Sequence, residues 1–409
     1  MSSVATAVGT VPDKSFREVW IVSIGHALTH WYPATFFILL PLIGSELGLS
    51  YSQIGLVMTC QYIAGALSNI PGGMFVDTVG KKGLLLALSL FWIGFPYLLM
   101  GFTHSYWMLL LCISLVGVGN NLWHPAAIPT LASRYPARKG LVLSVHGMGG
   151  NVGDALAPLA VGGLLAVLSW REIVMVNLLP GVVIACLILA FLGTWSLVGE
   201  GGAKHEPQGL SDYGRGLKTL LKNRGMAVLM TSTAFRSMTQ STLLTFLPVF
   251  LARELGYSAF WTGACLFVLQ AAGFTAAPIA GHLSDSMGRR RILMASMGSS
   301  AVVLLFMAVA GHSQAFIFFI AALGFFLYAT RPVLQAWLLD TTPKNMGGTS
   351  IGIMFGTQAL GNSISPVLGG MVADQFGLMS TFYFLAFTIV IANCFIFLMP
   401  EDAGKVTPL

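Results

Sequence analysis

The sequence predicts an all-α polytopic membrane protein with twelve transmembrane helices in two six-helix pseudo-repeats. Three observations predict it. Only 9% of the 409 residues are charged and 56% are hydrophobic, whereas a soluble domain carries about 25% charged residues. The chain is a succession of apolar stretches, each near the roughly 20 residues that a bilayer crossing needs. A set of glycines, prolines and polar residues also recurs at an offset of 207 or 208 residues halfway along. Such a composition excludes an ordinary soluble enzyme, a disordered chain and a nucleic-acid binder.

Taken in order, the predicted spans are 18–44, 52–75, 83–102, 106–132, 140–166 and 172–196, then 225–251, 259–282, 292–311, 314–339, 348–372 and 379–399. The first fifteen residues lack the apolar core and cleavage site of a signal peptide, so the first span is expected to stay in the chain. Span two ends at Asp77, Gly80, Lys81 and Lys82, and span four at Arg134, Arg138 and Lys139. Between spans six and seven a polar segment, 197–223, carries Gly201-Gly202, Pro207, Lys204, Arg215, Lys218 and Lys222. Span eight ends at Asp285, Gly288 and Arg289-Arg290-Arg291, and Lys344 precedes span eleven. Glycine and proline inside spans are tolerated by membrane helices. The five cysteines (Cys60, Cys112, Cys186, Cys265, Cys394) all fall within spans, without metal-ligand spacing.

The basic residues orient the chain. With the N-terminus in the cytoplasm, all but four of the 21 Lys and Arg fall on cytoplasmic segments. Arg171 and Arg253 lie outside, and Arg236 and Arg331 lie within spans. The expectation is a multi-pass protein of the inner (cytoplasmic) membrane, with both termini cytoplasmic. The formal charge of +6 is then mostly an orientation label.

The repeat is explicit. Glu46-Leu47-Gly48 and Ser50 recur as Glu254-Leu255-Gly256 and Ser258. Gly73, Asp77 and Gly80 recur as Gly281, Asp285 and Gly288, each followed by a basic pair. His124-Pro125 matches Arg331-Pro332, and Gly153, Asp154 and Pro158 match Gly361, Asn362 and Pro366. The chain thus divides into an N-terminal bundle (1–196), a cytoplasmic linker (197–223) and a C-terminal bundle (224–409). Parallel repeats of this kind place a substrate site near the midplane, between the halves.

At the second-to-third-span loop the chain resembles the major facilitator superfamily, whose motif there reads roughly G-x-x-x-D-x-x-G-[RK]-[RK]. Gly73, Asp77, Gly80 and Lys81 match it, and Gly281, Asp285, Gly288 and Arg289 repeat it. The resemblance implies a gating motif that latches the cytoplasmic side. The bland alternative is a turn with a positive-inside anchor. The run Gly147 to Leu159 (GMGGNVGDALAPL), with His124-Pro125, Gly25-His26 and Pro41, resembles the fosmidomycin resistance branch. The stretch is also similar to the fifth-span motif of drug antiporters, but it lacks that motif's Gly-Pro pair. This resemblance implies a proton-linked efflux carrier that is not an enzyme.

Ionisable groups within spans are expensive and are functional hypotheses. His26 and His30 lie one turn apart on span one, and helix rise puts His30 about 18 Å along it, near the midplane. His124 is on span four. His146, Asn151 and Asp154 are on span five. Arg236 and Gln240 are one turn apart on span seven, and Arg331 and Gln335 on span ten, with Trp337 close by. Only Asp154 and Asp340 are placed to neutralise the two arginines, so an anionic substrate is expected to supply charge. The substrate site is read as Arg236, Arg331, His30, His124, Gln240, Gln335 and Trp337. Asp154, His26 and His30 are read as the proton-coupling groups. A purely structural reading has these groups making interhelical hydrogen bonds only. A third reading lets His26, His30, His124 and Asp154 ligate a divalent cation. The arginines oppose it, and no metal is assigned. No cofactor is expected beyond a proton gradient. The expected partners are a small anionic molecule, protons and the lipid bilayer, with no nucleic acid, and the protein is expected to be a monomer.

The leading expectation is an alternating-access, proton-coupled exporter of a small organic anion or drug. The alternatives are a proton-coupled importer or facilitator of an organic anion, a divalent-metal carrier and a transport-dead sensor.

Overall fold

The structure, a computed structural model, describes residues 16–79, 81–193, 223–311, 313, 315–342 and 347–399. The linker, apart from Asn223, lies outside the described residues. The described segments are helices joined by short turns. The helices are α1 (Arg17–Glu46), α2 (Tyr51–Val79), α3 (Lys82–Met100), α4 (Tyr106–Arg134), α5 (Lys139–Leu164), α6 (Trp170–Val176) and α7 (Leu178–Leu192). They continue as α8 (Arg224–Arg253), α9 (Ala259–Met287), α10 (Arg289–Ala310), α11 (Phe316–Thr341), α12 (Gly347–Phe376) and α13 (Ser380–Phe397).

Local chemistry explains several boundaries. The Ser169 and Glu172 side chains form a reciprocal capping box at the start of α6. The Asn223 side chain accepts from the first N–H groups of α8. Span six is split at Asn177, which keeps helical angles, and Pro180 just beyond it lacks the N–H that would continue the ladder. Between α9 and α10, Gly288 sits at φ +94°, where a side chain would be strained.

Eight helical segments, with α6 and α7 joined, are long and apolar enough to cross a membrane. Four others of comparable length, α2, α5, α8 and α12, fall short on composition. They are the helices through which the two groups of helices meet: α2 lies against α12, α5 against α9, and α8 against α1. A helix facing another bundle and a polar cavity needs small and polar residues where a lipid-facing helix needs apolar ones. Otherwise α1–α7 contact chiefly one another, as do α8–α13.

The meeting of the two groups is close at one end. Cβ atoms added at Gly55 and Gly370 would lie 2.2 and 2.3 Å from the carbonyl oxygens of Pro366 and Tyr51. At Gly263 and Gly162 they would lie 2.1 and 2.5 Å from those of Pro158 and Ala259. The contact is made twice, since Gly55 and Pro366 in one pairing are the repeat counterparts of Gly263 and Pro158 in the other. Backbone meets backbone there because the glycines have no side chain. Asp374, from the end of α12, accepts the Tyr51 and Ser52 N–H groups at 2.8 and 2.9 Å, which closes a latch across this end. The Arg253 guanidinium lies against Gly44 and 5.7 Å from the Tyr51 ring centre. Arg171 pairs with Glu46 at the same end.

The opposite, basic end differs. Followed inward residue for residue, the antiparallel register of α5 on α9 sets Gly140 opposite Gly281, and neither has an atom within 4 Å of its Cβ position. Contacts here tie each group to itself. Arg134 and the Tyr135 hydroxyl bond to Glu18 at 3.0–3.2 Å, and Arg289 reaches Asp340 at 3.2 Å.

Candidate functional site

The first half of the site is assembled on a glycine stripe. Added Cβ atoms at Gly149 and Gly153 would lie 2.2 Å from the Ser23 carbonyl and 2.1 Å from that of Ala27, and one at Gly150 would lie 2.9 Å from the rings of both His26 and His30. α5 therefore rests directly on the backbone of α1. Gly25 does the same for α4, since its Cβ would meet the Trp123 ring at 2.3 Å. These approaches collect the predicted histidines. His26 Nδ1 donates to the His146 carbonyl at 2.6 Å, and the two rings stack with centroids 4.0 Å apart. His26 Nε2 lies 3.1 Å from His124 Nε2. Because the His26 Nδ1 carries the proton, the neutral ring accepts at Nε2 and His124 donates. His30 Nδ1 donates to Asp154 Oδ2 at 2.9 Å, and the two side chains are 28% and 32% exposed, so the pair is not sealed in the core. Asp154 thus bonds His30 rather than Asn151.

The second half is a cavity of about 170 Å³ whose lining includes Tyr62, Arg236, Gln240, Arg331, Gln358 and Asn362. Arg236 is 3% exposed. It donates to Thr330 Oγ1 at 3.1 Å, to the Leu327 carbonyl at 3.3 Å and to Gln240. Arg331 is exposed to the cavity. Among the described residues, neither arginine is paired with a carboxylate. Asp340, expected as a partner for them, is instead taken by Arg289 at the basic end. It sits in the last turn of α11, more than two turns beyond Arg331. The two halves are within electrostatic reach. The Arg331 charge acts on both His124 and Arg236, and the Asp154 charge acts on Tyr62 and Tyr328.

Of the predicted substrate residues, Arg236, Arg331 and Gln240 line one cavity, and His30 and His124 lie in the histidine cluster near it. Gln335 and Trp337 do not line the cavity, and Trp337 is 2% exposed in the hydrophobic core. Tyr62, Gln358 and Asn362 line it without having been singled out as site residues. Asn362 is the repeat counterpart of Asp154, and Gln358 stands one turn before it, so an amide pair within a span was the available signal. Tyr62 carried none. In the second gating motif Arg289 pairs with Asp285 one turn earlier, and Gly288 makes the left-handed turn. In the first, Lys81 is exposed, Gly80 lies outside the described residues, and the Asp77 side chain is not described.

Helical halves meeting around a polar, charge-bearing cavity in an apolar bundle define a membrane carrier. The chain matches the Major Facilitator Superfamily over residues 19–281 and 229–408 and belongs to that family, so it is a transporter and not an enzyme. It is 24% identical to the fosmidomycin resistance protein of Escherichia coli, over 98% of this chain and 97% of that protein. It is 26% identical to the hexuronate transporter of Bacillus subtilis, over 85% of each. Among solved structures, a bacterial homologue of the human lysosomal transporter Spinster, inward-facing and unoccupied, superposes with a TM-score of 0.83 at 17% identity. The match covers 98% of this chain and 100% of that one.

Proposed function

We propose that the protein is a proton-coupled secondary carrier of small organic anions in the cytoplasmic membrane. It works as a monomer whose six-helix halves, 1–196 and 224–409, rock about the central cavity. One observation carries the reading. Two arginines with no carboxylate partner among the described residues line a cavity, and a partly exposed histidine–carboxylate pair of the other half lies within electrostatic reach of the cavity-lining Tyr62. An uncompensated guanidinium is a strong site for a carboxylate, phosphonate or sulfonate. A histidine–carboxylate pair within a membrane can take up and release a proton. The latched end is assigned to the outside and the basic end to the cytoplasm, which follows the positive-inside bias and makes this an inward-open state. Alternation then opens the Asp374 latch and closes α5 on α9 at the basic end.

Export is supported by the likeness to a fosmidomycin resistance protein. A specific observation favours uptake instead. Asp154 belongs to the other half from the arginines, and its charge reaches the cavity-lining Tyr62, so its protonation removes a negative charge that repels the anion. Proton and anion then bind best together, which is the thermodynamic requirement for symport. One experiment separates the two. The purified protein is reconstituted into liposomes, a proton gradient of either sign is imposed, and flux of labelled hexuronate, phosphonate and sulfonate is measured. Movement of anion with protons identifies symport, and movement against them identifies antiport. Equal flux with the gradient collapsed would refute proton coupling altogether.

A further inference from the structure

The proton-coupling reading needs His30 and Asp154 but leaves three further histidines unexplained. The ring nitrogens of His26, His30 and His124 all lie within 4.8 Å of one another. We propose that these three imidazoles form a transition-metal site of the zinc class, with its fourth position open to the central cavity.

Three features support it. The first is the donor set. Three neutral imidazoles suit zinc, copper or nickel and not magnesium or calcium, which take oxygen ligands. Two donors are already close to their bound spacing. His26 Nε2 and His124 Nε2 stand 3.1 Å apart, and two nitrogens on one tetrahedral Zn²⁺ at about 2.0–2.1 Å stand roughly 3.3 Å apart.

The second feature is the outer shell. Metal-bound histidines usually donate their other N–H to a carbonyl or carboxylate, which fixes the tautomer and aims the free lone pair. Both patterns are present. His26 Nδ1 donates to the His146 carbonyl and His30 Nδ1 to Asp154. Each bond leaves an Nε2 lone pair for a metal. The His26–His124 hydrogen bond is what such a site holds in its metal-free form, with a proton shared where the cation would sit.

The third is support and access. The Gly150 position, 2.9 Å from both the His26 and His30 rings, holds them side by side. The partial exposure of His30 leaves a route for the cation and room for a water or an anionic ligand. The positive charge of Arg331 acts on His124 and opposes a cation. Asp154, bonded to His30, offsets it, and Arg331 is itself exposed. Occupancy would pin α1 to α4 and take the His30 lone pair, so Zn²⁺ is expected to inhibit transport.

The test is binding and does not depend on transport, so its failure is separable from failure of the carrier reading. Untagged full-length protein in detergent is titrated with Zn²⁺ alone by calorimetry, and the zinc-loaded protein is examined by X-ray absorption. The expected results are one Zn²⁺ per chain and scattering from three imidazole ligands. Affinity should fall more than tenfold in His26→Ala and His124→Ala, and by about 10- to 100-fold in Asp154→Asn, which removes only the outer-shell carboxylate. His104→Ala, at the latched end beside Arg171, should bind as wild type does. If a variant fails to fold by thermal shift, the wild-type absorption spectrum still decides. No zinc bound, a shell lacking three imidazoles, or affinity unchanged in folded His26→Ala or His124→Ala would overturn the proposal.

Discussion

Asp374→Ala should open the latched end. The first-turn N–H groups of a helix have no partners within it, and in α2 they can be followed one by one. The Gln53 N–H goes to the Ser50 hydroxyl at 3.2 Å, while those of Tyr51 and Ser52 go to Asp374, on the other half of the molecule. Asp374 is a helix cap supplied in trans. A buried charge-assisted bond contributes about 1.5–3 kcal/mol. Asp374 is exposed, and water can replace it, so the pair together is worth about 1–2 kcal/mol. That is roughly a 5- to 30-fold change in the ratio of latched to unlatched molecules. Burial pushes the Asp374 carboxyl up, but the bonds from Ser52 and Tyr51 pull it down further, so it lies below the usual carboxylate range. The latched state therefore holds the proton less tightly than the open one. The stabilisation is complete above the ordinary Asp value and is lost as pH falls through the depressed one. Spin labels at Val167→Cys and Phe376→Cys, both exposed at this end, in a cysteine-depleted background, report the separation by electron–electron distance measurement. A longer-distance population should grow in Asp374→Ala and, in the parent, on acidification. Distance distributions identical with and without Asp374 would refute the latch.

The cavity and the helix contacts give four further expectations. Arg331→Gln and Arg236→Gln should each weaken binding of an anionic ligand by about tenfold or more, one charge-assisted bond apiece, as read by calorimetry. Asp154→Asn should abolish gradient-driven flux, leave exchange of substrate across liposomes intact and remove the pH dependence of anion binding. Gly150→Ala, which drives a methyl into two imidazoles, should cost about 1–3 kcal/mol, whereas Gly147→Ala, with open space around it, should be neutral or stabilise by up to about 1 kcal/mol; thermal unfolding separates them. Gly140→Cys with Gly281→Cys should form a disulfide only when the basic ends close, since bridged Cα atoms must come within about 7 Å, and adding Asp374→Ala should speed the cross-link.

The fold was largely legible because a bilayer imposes two rules that sequence displays directly. Spans must be long and apolar, and a duplicated bundle repeats its turns. Gly288 was readable as a turn because only glycine takes φ +94° at low cost. The split of α6 from α7 was not read, since a local proline effect disappears in a continuous apolar run. Nor was the latch, because Asp374 lies in a loop-proximal position that carries no span penalty, and its partners are backbone groups more than three hundred residues away. Asp340 was misread for a related reason. Counting carboxylates near the spans ignores depth, and at the helix end Arg289 reaches it first.

The site shows what repeat reasoning can and cannot deliver. The offset that pairs Gly55 with Gly263 and Pro158 with Pro366 predicts that equivalent helices touch equivalently, and both contacts occur. The same offset pairs Asp154 with Asn362, an offset one residue shorter pairs His124 with Arg331, and here the halves diverge. Backbone packing must be shared by both halves if they are to rock about a common axis, so the glycines are kept in pairs. Charge follows the opposite logic. Like charges in both halves would repel one another, whereas arginines in one half and a histidine–carboxylate pair in the other leave a field that the proposed anion would satisfy. The symmetric positions therefore mark where the halves pack together, and the positions where the repeat breaks mark the proposed binding site. Asn362, which lines the cavity, is found by asking where the second half replaced a titratable group with an amide, and Gln358 stands one turn before it.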